Sequence, residues 1–245
     1  MGAKVAASSF GAPHRHFSRT DSTNTRAREL AEAGAPHGTV VTAGEQSEGR
    51  GRQGRVWTAP AGKGLLYSAI LRALDERHLM LPLSVPIAVC QAAECLRPDA
   101  RCQIKWPNDI WLEERKLAGI LIEARPQDGW AVIGVGINLK VAPEEFPEEL
   151  RWPAVSLFGS EERDLSPTPL NAAKVLSHQL ERWVAADEAT VLDAWRERDA
   201  LRGREVGWDD GSGVADGVDE RGNLLVVTAG GDRVALGAGE VHLRL

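Results

Sequence analysis

The segment LSVPIAVCQAAECLR (83–97) is apolar on nearly every side of a helical projection, the pattern of a helix buried within a domain. Such a helix needs apolar partners all around it, and the flanking sequence supplies them. GTVVTAGE (38–45), GLLYSAILR (64–72), CQIKWPNDIWL (102–112), KLAGILIEA (116–124) and WAVIGVGINL (130–139) are β-rich runs. Turn signals at Pro107-Asn108 and Gln127-Asp128-Gly129 separate the last three. DSTNTRARELAEAG (21–34) predicts a short helix with Ser22 or Thr23 as N-cap and Gly34 as its stop. LNAAKVLSHQLERWVAA (170–186) and ATVLDAWRERD (189–199) predict two amphipathic helices. Strands and helices intermix without strict βαβ alternation, so the expected class is α+β, a mixed β-sheet with packed helices.

The composition changes near Gly203. Beyond it the helix signal fades, glycines multiply, and short β runs follow one another: REVGW, VADGVDE, NLLVVTA, DRVALGA and EVHLRL. Closely spaced strands over so short a stretch predict a small closed barrel, because closure removes exposed sheet edges. The expected organisation is one domain over residues 1–200 and a barrel over 201–245. This tail is acidic, with Arg204, Arg221, Arg233 and Arg244 set against eight carboxylates from Glu205 to Glu240.

Charge narrows the function class. With 29 Lys and Arg against 35 Asp and Glu, the net charge of −6 argues against nucleic acid as a partner, since such binders carry a basic domain. Three arginines nevertheless fall within six residues, Arg50, Arg52 and Arg55, and cations gathered on an acidic chain point to an anionic ligand. No apolar run approaches the about 20 residues of a membrane span, and the N-terminal residues lack a signal-peptide core. A cytoplasmic enzyme with no membrane partner is expected. Cys90, Cys95 and Cys102 do not have zinc-ligand spacing and are expected in the core.

GRGRQG (49–54) formally matches G-x-G-x-x-G. RVWTAPAGKGLLYS follows it without helical periodicity, so the helix N-terminus of a dinucleotide site is missing. Ala61-Gly62-Lys63-Gly64 is not a Walker A loop, because Trp57 stands where the first glycine is required. A different chemistry fits better. Gly49, Gly51 and Gly54 allow close backbone approach to a ligand, and the interleaved arginines supply donor forks suited to carboxylate or phosphate. The same residues also fit a solvated surface turn. Lys105-Trp106-Pro107-Asn108-Asp109 offers an amide and a carboxylate from a tight turn. It fits a nucleotide or Mg²⁺ contact and equally a hairpin that satisfies its own backbone. Lys116 opens a strongly apolar strand, either as a solvated strand start or as an ammonium held at the edge of the core.

The combination is more specific than its parts. DSTN (21–24), E-Q-x-x-GRGRxGRxW (45–57), KWPND (105–109), RKLAGILIE (115–123) and GVGIN (134–138) occur in this order. Together they resemble the biotin–protein ligase family, in its monofunctional form of biotin–[acetyl-CoA-carboxylase] ligase. The resemblance runs from about Asp21 to Asn138, and Gly237-Ala238-Gly239-Glu240-Val241 is similar to that family's closing barrel strand. It implies a class II aminoacyl-tRNA synthetase-like catalytic fold followed by an SH3-like barrel. It also implies an ATP-dependent reaction in two steps: biotin and MgATP form biotinyl-5′-AMP, and a lysine of a biotin carboxyl carrier domain then takes the biotinyl group. On that resemblance Ser22, Thr23, Asn24 and Gln46 match positions lining the biotin head group. Gly49, Arg50, Gly51 and Arg52 match the loop covering biotin and the acyl-phosphate. Lys116, between the biotin carboxylate and the α-phosphate, and Arg52 are the expected catalytic residues. Arg52, Arg55, Trp57, Lys105, Asn108 and Asp109 fall at ATP positions. Trp57 is either stacked on adenine or packed in the core, and Asp109 is the candidate Mg²⁺ ligand. The cations at 50, 52, 55, 105 and 116 are expected to converge on one acyl-phosphate.

Two departures stand out. Glu48 replaces a small residue before GRGR, which either weakens an anion site or orders the arginines. Some relatives also carry a DNA-binding domain of roughly 60 residues before DSTN, whereas about 20 precede it here, too few for a core; repressor activity is not expected. The arginine loop is expected to be mobile without ligand. A homodimer through a sheet edge is common in the family, although no apolar strand stands out as that edge. A lipoate ligase and a non-catalytic anion-binding module are the alternatives.

Overall fold

The computed structural model describes residues 10–150, 152–159, 161–237 and 242–243. Its larger sheet is built from β1 (His14–Phe17), β2 (Val40–Ala43), β3 (Gly64–Arg72), β4 (Cys102–Lys105), β5 (Asp109–Leu112), β6 (Arg115–Arg125) and β7 (Trp130–Asn138). The strand order is β1-β2-β3-β7-β6-β5-β4; β1 runs parallel to β2 and every other pair is antiparallel. The continuous apolar runs of β3 and β7 occupy its centre, where both faces are covered and no polar alternation is needed.

Helices cover the sheet unequally. α1 (Thr23–Glu32) lies on one face, its Ala27 and Ala31 packed with Val41, Ile70, Trp130 and Val132. On the other face sit α2 (Leu81–Leu96), α3 (Pro169–Val184) and α4 (Glu188–Arg196), enclosing the main core with Leu65, Leu71, Ile133 and Ile137. Tyr67 joins this side through its hydroxyl, 2.9 Å from Ser177 Oγ. Burial of its ring pushes the phenol pKa up.

Several expectations change in detail. α2 begins at Leu81, because Pro82 is tolerated in a first turn. Preceded by a 3-10 turn over Glu76–Met80, the Glu76–Leu96 segment is in fact long and apolar enough to cross a membrane by length and composition, yet most of it is buried in this core. Cys90 and Cys102 are buried as expected. Cys95 is exposed, in the last turn of α2, where its Sγ accepts a contact from Gln179 Nε2 at 3.6 Å. β1 is an edge strand with His14, Arg15 and His16 exposed and Phe17 half-buried against the core beneath α1, so HRHF gives no strand signal. In α1, Ser22 occupies the N-cap position without a side-chain capping bond, and Gly34 follows the helix with φ +87°.

The C-terminal strands β8 (Glu205–Trp208), β9 (Gly211–Val218), β10 (Leu224–Thr228), β11 (Arg233–Leu236) and β12 (His242–Leu243) form a second, antiparallel sheet in the order β11-β10-β9-β8-β12. Residues 238–241, most of the segment similar to a closing barrel strand, lie outside the described residues. Val206, Ala215, Val218, Leu224 and Val226 share the main core with Leu83 and Trp106. Trp106 Nε1 donates to Gly222 O at 3.0 Å, tying the KWPND turn to a turn of the second sheet.

Candidate functional site

Strand alternation makes the site. On β7, Trp130 and Val132 lie beneath α1, and the next two residues on that face are Gly134 and Gly136. Gly134 pairs with Ser68 of β3 and Leu121 of β6, and Gly136 pairs with Leu66 and Gly119. The missing side chains leave a groove beyond the end of α1. A Cβ at Gly134 would collide with the Asn24 amide and one at Gly136 with the Trp57 indole, while at Gly119 it would stand 3.0 Å from Trp57 Cζ3. Glycine weakens a strand interior, and three neighbouring ones mark a place of close approach.

At one end of the groove the lining side chains, Ser22, Thr23, Asn24 and Gln46, are polar and uncharged, and charged groups bond to them from outside the lining. Asp21 accepts from Ser22 N at 2.7 Å and binds Arg26 through both carboxylate oxygens. The Arg26 guanidinium holds the Asp21 carboxyl down at about 2. Thr23 donates through N and Oγ1 to Gln46 Oε1, at 2.7 and 3.0 Å, so the Gln46 amide still offers Nε2 as a donor. Ser68 Oγ lies 2.8 Å from Thr23 Oγ1 and 2.6 Å from Asn24 Oδ1. Asn24 Nδ2 donates to Glu123 Oε2 at 2.8 Å and to Leu121 O at 3.3 Å. Ser22, Thr23, Asn24 and Ser68 are all buried, where hydrogen bonds dictate orientation.

The other end is cationic. Lys116 Nζ lies 2.8 Å from Asp109 Oδ1 and 5.7 Å above the Trp57 ring. Its backbone is fixed by the chain beyond β7: Lys116 N donates to Pro153 O at 2.7 Å, and Val155 N donates to Lys116 O at 3.0 Å. An irregularity in the β5–β6 ladder, where Ile110 pairs with Ala118 and Trp111 with Lys116, changes the register at this point. Asn108 Nδ2 donates to Ile120 O at 2.8 Å. The arginine loop closes on itself through Gly51 N to Arg55 O at 2.7 Å and Trp57 N to Gly49 O at 2.9 Å, and Gln53 and Gly54 take positive φ at its tip. Burial pulls the Arg52 pKa down, nearby Asp109 opposes that, and Arg55 adds to it; a guanidinium stays charged regardless. Arg50 pairs with Glu123 at 3.0 Å.

Ser22, Thr23, Asn24, Gln46, Arg50, Gly51, Arg52, Arg55, Trp57, Asn108, Asp109 and Lys116 thus line one cavity. Gly49 is buried beneath the loop, where a Cβ would strike Trp57 O. Lys105 does not join the other cations in that lining. It is 5% exposed, with its ammonium 5.2 Å from the Trp152 ring, which in turn packs on Trp111. Glu48 lines a depression on the outer side of the loop and not the cavity. Among the described residues no group of three His, Cys, Asp or Glu side chains gathers as a metal cage, and Asp109 is the carboxylate lining the cavity. Ser68, Gly119, Glu123, Gly134 and Gly136 were not among the expected site residues, although the last four lie within RKLAGILIE and GVGIN and glycines spaced by two within a strand were a usable signal.

Residues 16–139 match the biotin/lipoate A/B protein ligase family. A biotin–[acetyl-CoA-carboxylase] ligase of Paracoccus denitrificans is 33% identical over 234 residues, which cover 89% of this chain and 95% of that protein. A bifunctional ligase/repressor of Bacillus subtilis is 40% identical over 141 residues, 56% of this chain; the match spans less than half of that protein, 43%. The solved structure of a biotin protein ligase from Aquifex aeolicus, in complex with biotin and ATP, aligns with a TM-score of 0.77 at 29% identity, covering 95% of this chain and 99% of that one.

Proposed function

Because the chain belongs to the biotin/lipoate A/B protein ligase family, we propose that it is a biotin–protein ligase. It activates biotin with MgATP to biotinyl-5′-AMP and transfers the biotinyl group to a lysine of a biotin carboxyl carrier domain. The observation that carries this reading is one cavity with an uncharged polar end and a cationic end above a glycine floor. That is the complement of an acid whose head group is neutral and whose carboxylate must meet a phosphate. The Paracoccus relative's name and the ligands of the Aquifex structure support it.

In the first step a carboxylate oxygen of biotin bonds to the α-phosphorus of ATP, and the α–β phosphoanhydride bond breaks to release pyrophosphate. Two anions must approach each other, and Lys116 and Arg52 offset that repulsion. Lys116 is preorganised by Asp109 and by its backbone bonds to Pro153 and Val155, so little reorganisation accompanies the reaction. Thr23, Asn24 and Gln46 supply donors and acceptors for a ureido ring, which needs both. Glycines at 119 and 136 let the Trp57 indole, and Gly134 the Asn24 amide, lie close against the sheet and so shape the walls that meet the substrate. Trp57, set on that floor, gives the substrate an aromatic wall. In the second step the carrier's amine bonds to the acyl carbon and AMP departs.

Arg55, Asn108 and Asp109 border the same space and fall to the nucleotide, with Lys105 behind them. Magnesium arrives as the counter-ion of ATP. Asp109 would hold it, in the manner of an ion that keeps phosphate oxygens and water as its other ligands and needs no protein cage. We read residues 1–200 as the catalytic domain and 201–245 as an SH3-like barrel, a reading supported by β12 returning to β8. A cytoplasmic setting belongs to the same proposal. So does a homodimer through a sheet edge, for which the exposed strand β1 is available. ATP–pyrophosphate exchange tests the reading: biotin is expected to support exchange and lipoate not, and the reverse would make the protein a lipoate ligase.

A further inference from the structure

We propose that Glu123 is a positioning residue: it holds the arginine loop over the cavity through Arg50 and fixes the amide of Asn24, so that covering the substrate and recognising it depend on one carboxylate. The proposal takes its substrate from the ligase reading, and its geometry stands independently of that reading. Glu123 sits on β6, beyond Leu121, with its side chain 24% exposed. Arg50 Nη1 lies 3.0 Å from Oε1 and 3.3 Å from Oε2, while Oε2 also accepts from Asn24 Nδ2 at 2.8 Å. One carboxylate therefore joins three elements: the sheet, the first turn of α1 and the loop.

Each contact has a distinct consequence. The Asn24 amide has Oδ1 against Ser68 Oγ at 2.6 Å and Nδ2 against Glu123. Turning it over would set Oδ1 against the carboxylate, two acceptors facing each other, so Glu123 decides which atoms Asn24 presents. Arg50 stands on a loop whose own hydrogen bonds are local, from Gly51 to Arg55 and from Trp57 to Gly49. Those bonds keep the loop's shape; Trp57 rests on the sheet at the loop's far end, and the pair with Glu123 ties its near end, at Arg50, to β6. An exposed ion pair contributes little to global stability. With the loop mobile in the absence of ligand, as the resemblance implies, the same contact shifts its opening equilibrium, because there only the difference between two nearby states matters. A reactive acyl-adenylate beneath the loop makes that equilibrium consequential, since opening admits water and releases the intermediate.

Two variants separate the contacts. Glu123→Gln keeps an acceptor for Asn24 and removes the charge that holds Arg50; Glu123→Ala removes both. Deuterium exchange of the backbone amides of residues 49–57, measured without substrates, is expected to accelerate in both variants while circular dichroism is unchanged. Arg50→Ala added to Glu123→Ala is expected to give no further acceleration. In biotin-dependent exchange the KM for biotin is expected to rise about two- to fivefold for Glu123→Gln, the scale of an exposed ion pair. For Glu123→Ala a rise of about tenfold or more is expected, the scale of a lost hydrogen bond to a charged group. In both, kcat changes less than KM, and more free adenylate is released per carrier labelled. Unchanged deuterium exchange over 49–57 in folded Glu123→Gln overturns the proposal, as does a fall in kcat at unchanged KM. If the wild-type protein shows no biotin-dependent exchange, the ligase reading falls, while the deuterium comparison still supports or overturns the fastening of the loop.

Discussion

Lys116 combines charge, position and restraint in one side chain. Its ammonium faces Asp109 at 2.8 Å and the Trp57 ring at 5.7 Å, an arrangement that holds a cation ready without neutralising it through a second carboxylate in the cavity. Lys116→Gln keeps an amide donor for Asp109 and removes the positive charge. Adenylate formation by this variant is expected to fall about 10²- to 10³-fold, the loss typical of removing one oxyanion-stabilising group, with the melting transition preserved. Pyrophosphate exchange at the wild-type rate by folded Lys116→Gln would remove the lysine from the mechanism. At this scale the sequence was informative about residue identity and less so about direction. Twelve residues expected at the site from the five strings line the cavity. The strings did not separate Lys105, which turns under Trp152, from Lys116, whose direction follows the register change between β5 and β6. A bulge of that kind leaves no mark in apolar periodicity.

Among the elements, β7 does most to shape the site. Its odd-numbered residues feed the main core and its even-numbered ones change from Trp130 and Val132 under α1 to Gly134 and Gly136 in the groove. Gly136→Ala would drive a methyl group into the Trp57 indole. The backbone of β7 is paired on both sides, so Trp57 is the group that yields. This variant is expected to fold, to show altered Trp57 fluorescence and to raise the KM for biotin more than it lowers kcat. Unaltered KM and fluorescence would mean that the floor is not a binding surface. The strands of the central sheet were legible because fully buried strands read as continuous apolar runs. β1 was not, because a largely exposed edge strand such as HRHF needs few apolar residues, here Phe17 against the core beneath α1. The helix over 21–34 was legible from its ends, but the cap residue proved to have another task. Ser22 leaves its capping bond unmade and lines the cavity.

For the whole molecule, the second sheet is the feature that composition announced and that packing explains. The loss of helix signal after Gly203 marked its beginning, while its attachment to the rest of the chain could not be read from the sequence. That attachment runs through Trp106, buried beside the KWPND turn and hydrogen-bonded to Gly222 O. Trp106→Phe keeps most of the apolar volume and removes the donor. Removing this hydrogen bond to a half-buried carbonyl is expected to cost about 0.5–1.5 kcal/mol in denaturant unfolding; unchanged stability would mean that the Trp106 bond contributes nothing to holding the two parts together. The net charge of −6 also takes on a meaning at this scale, since an acidic molecule surrounds a cavity lined by Arg50, Arg52, Arg55 and Lys116. An anion drawn to that cavity and joined there to a neutral-headed acid is the central claim. It is tested most directly by incubating the protein with biotin, MgATP and a biotin carboxyl carrier domain and weighing the carrier by mass spectrometry. The expected result is one biotinyl group on a single carrier lysine, dependent on both biotin and ATP. A carrier that stays unmodified, or is modified by lipoate instead, would contradict it.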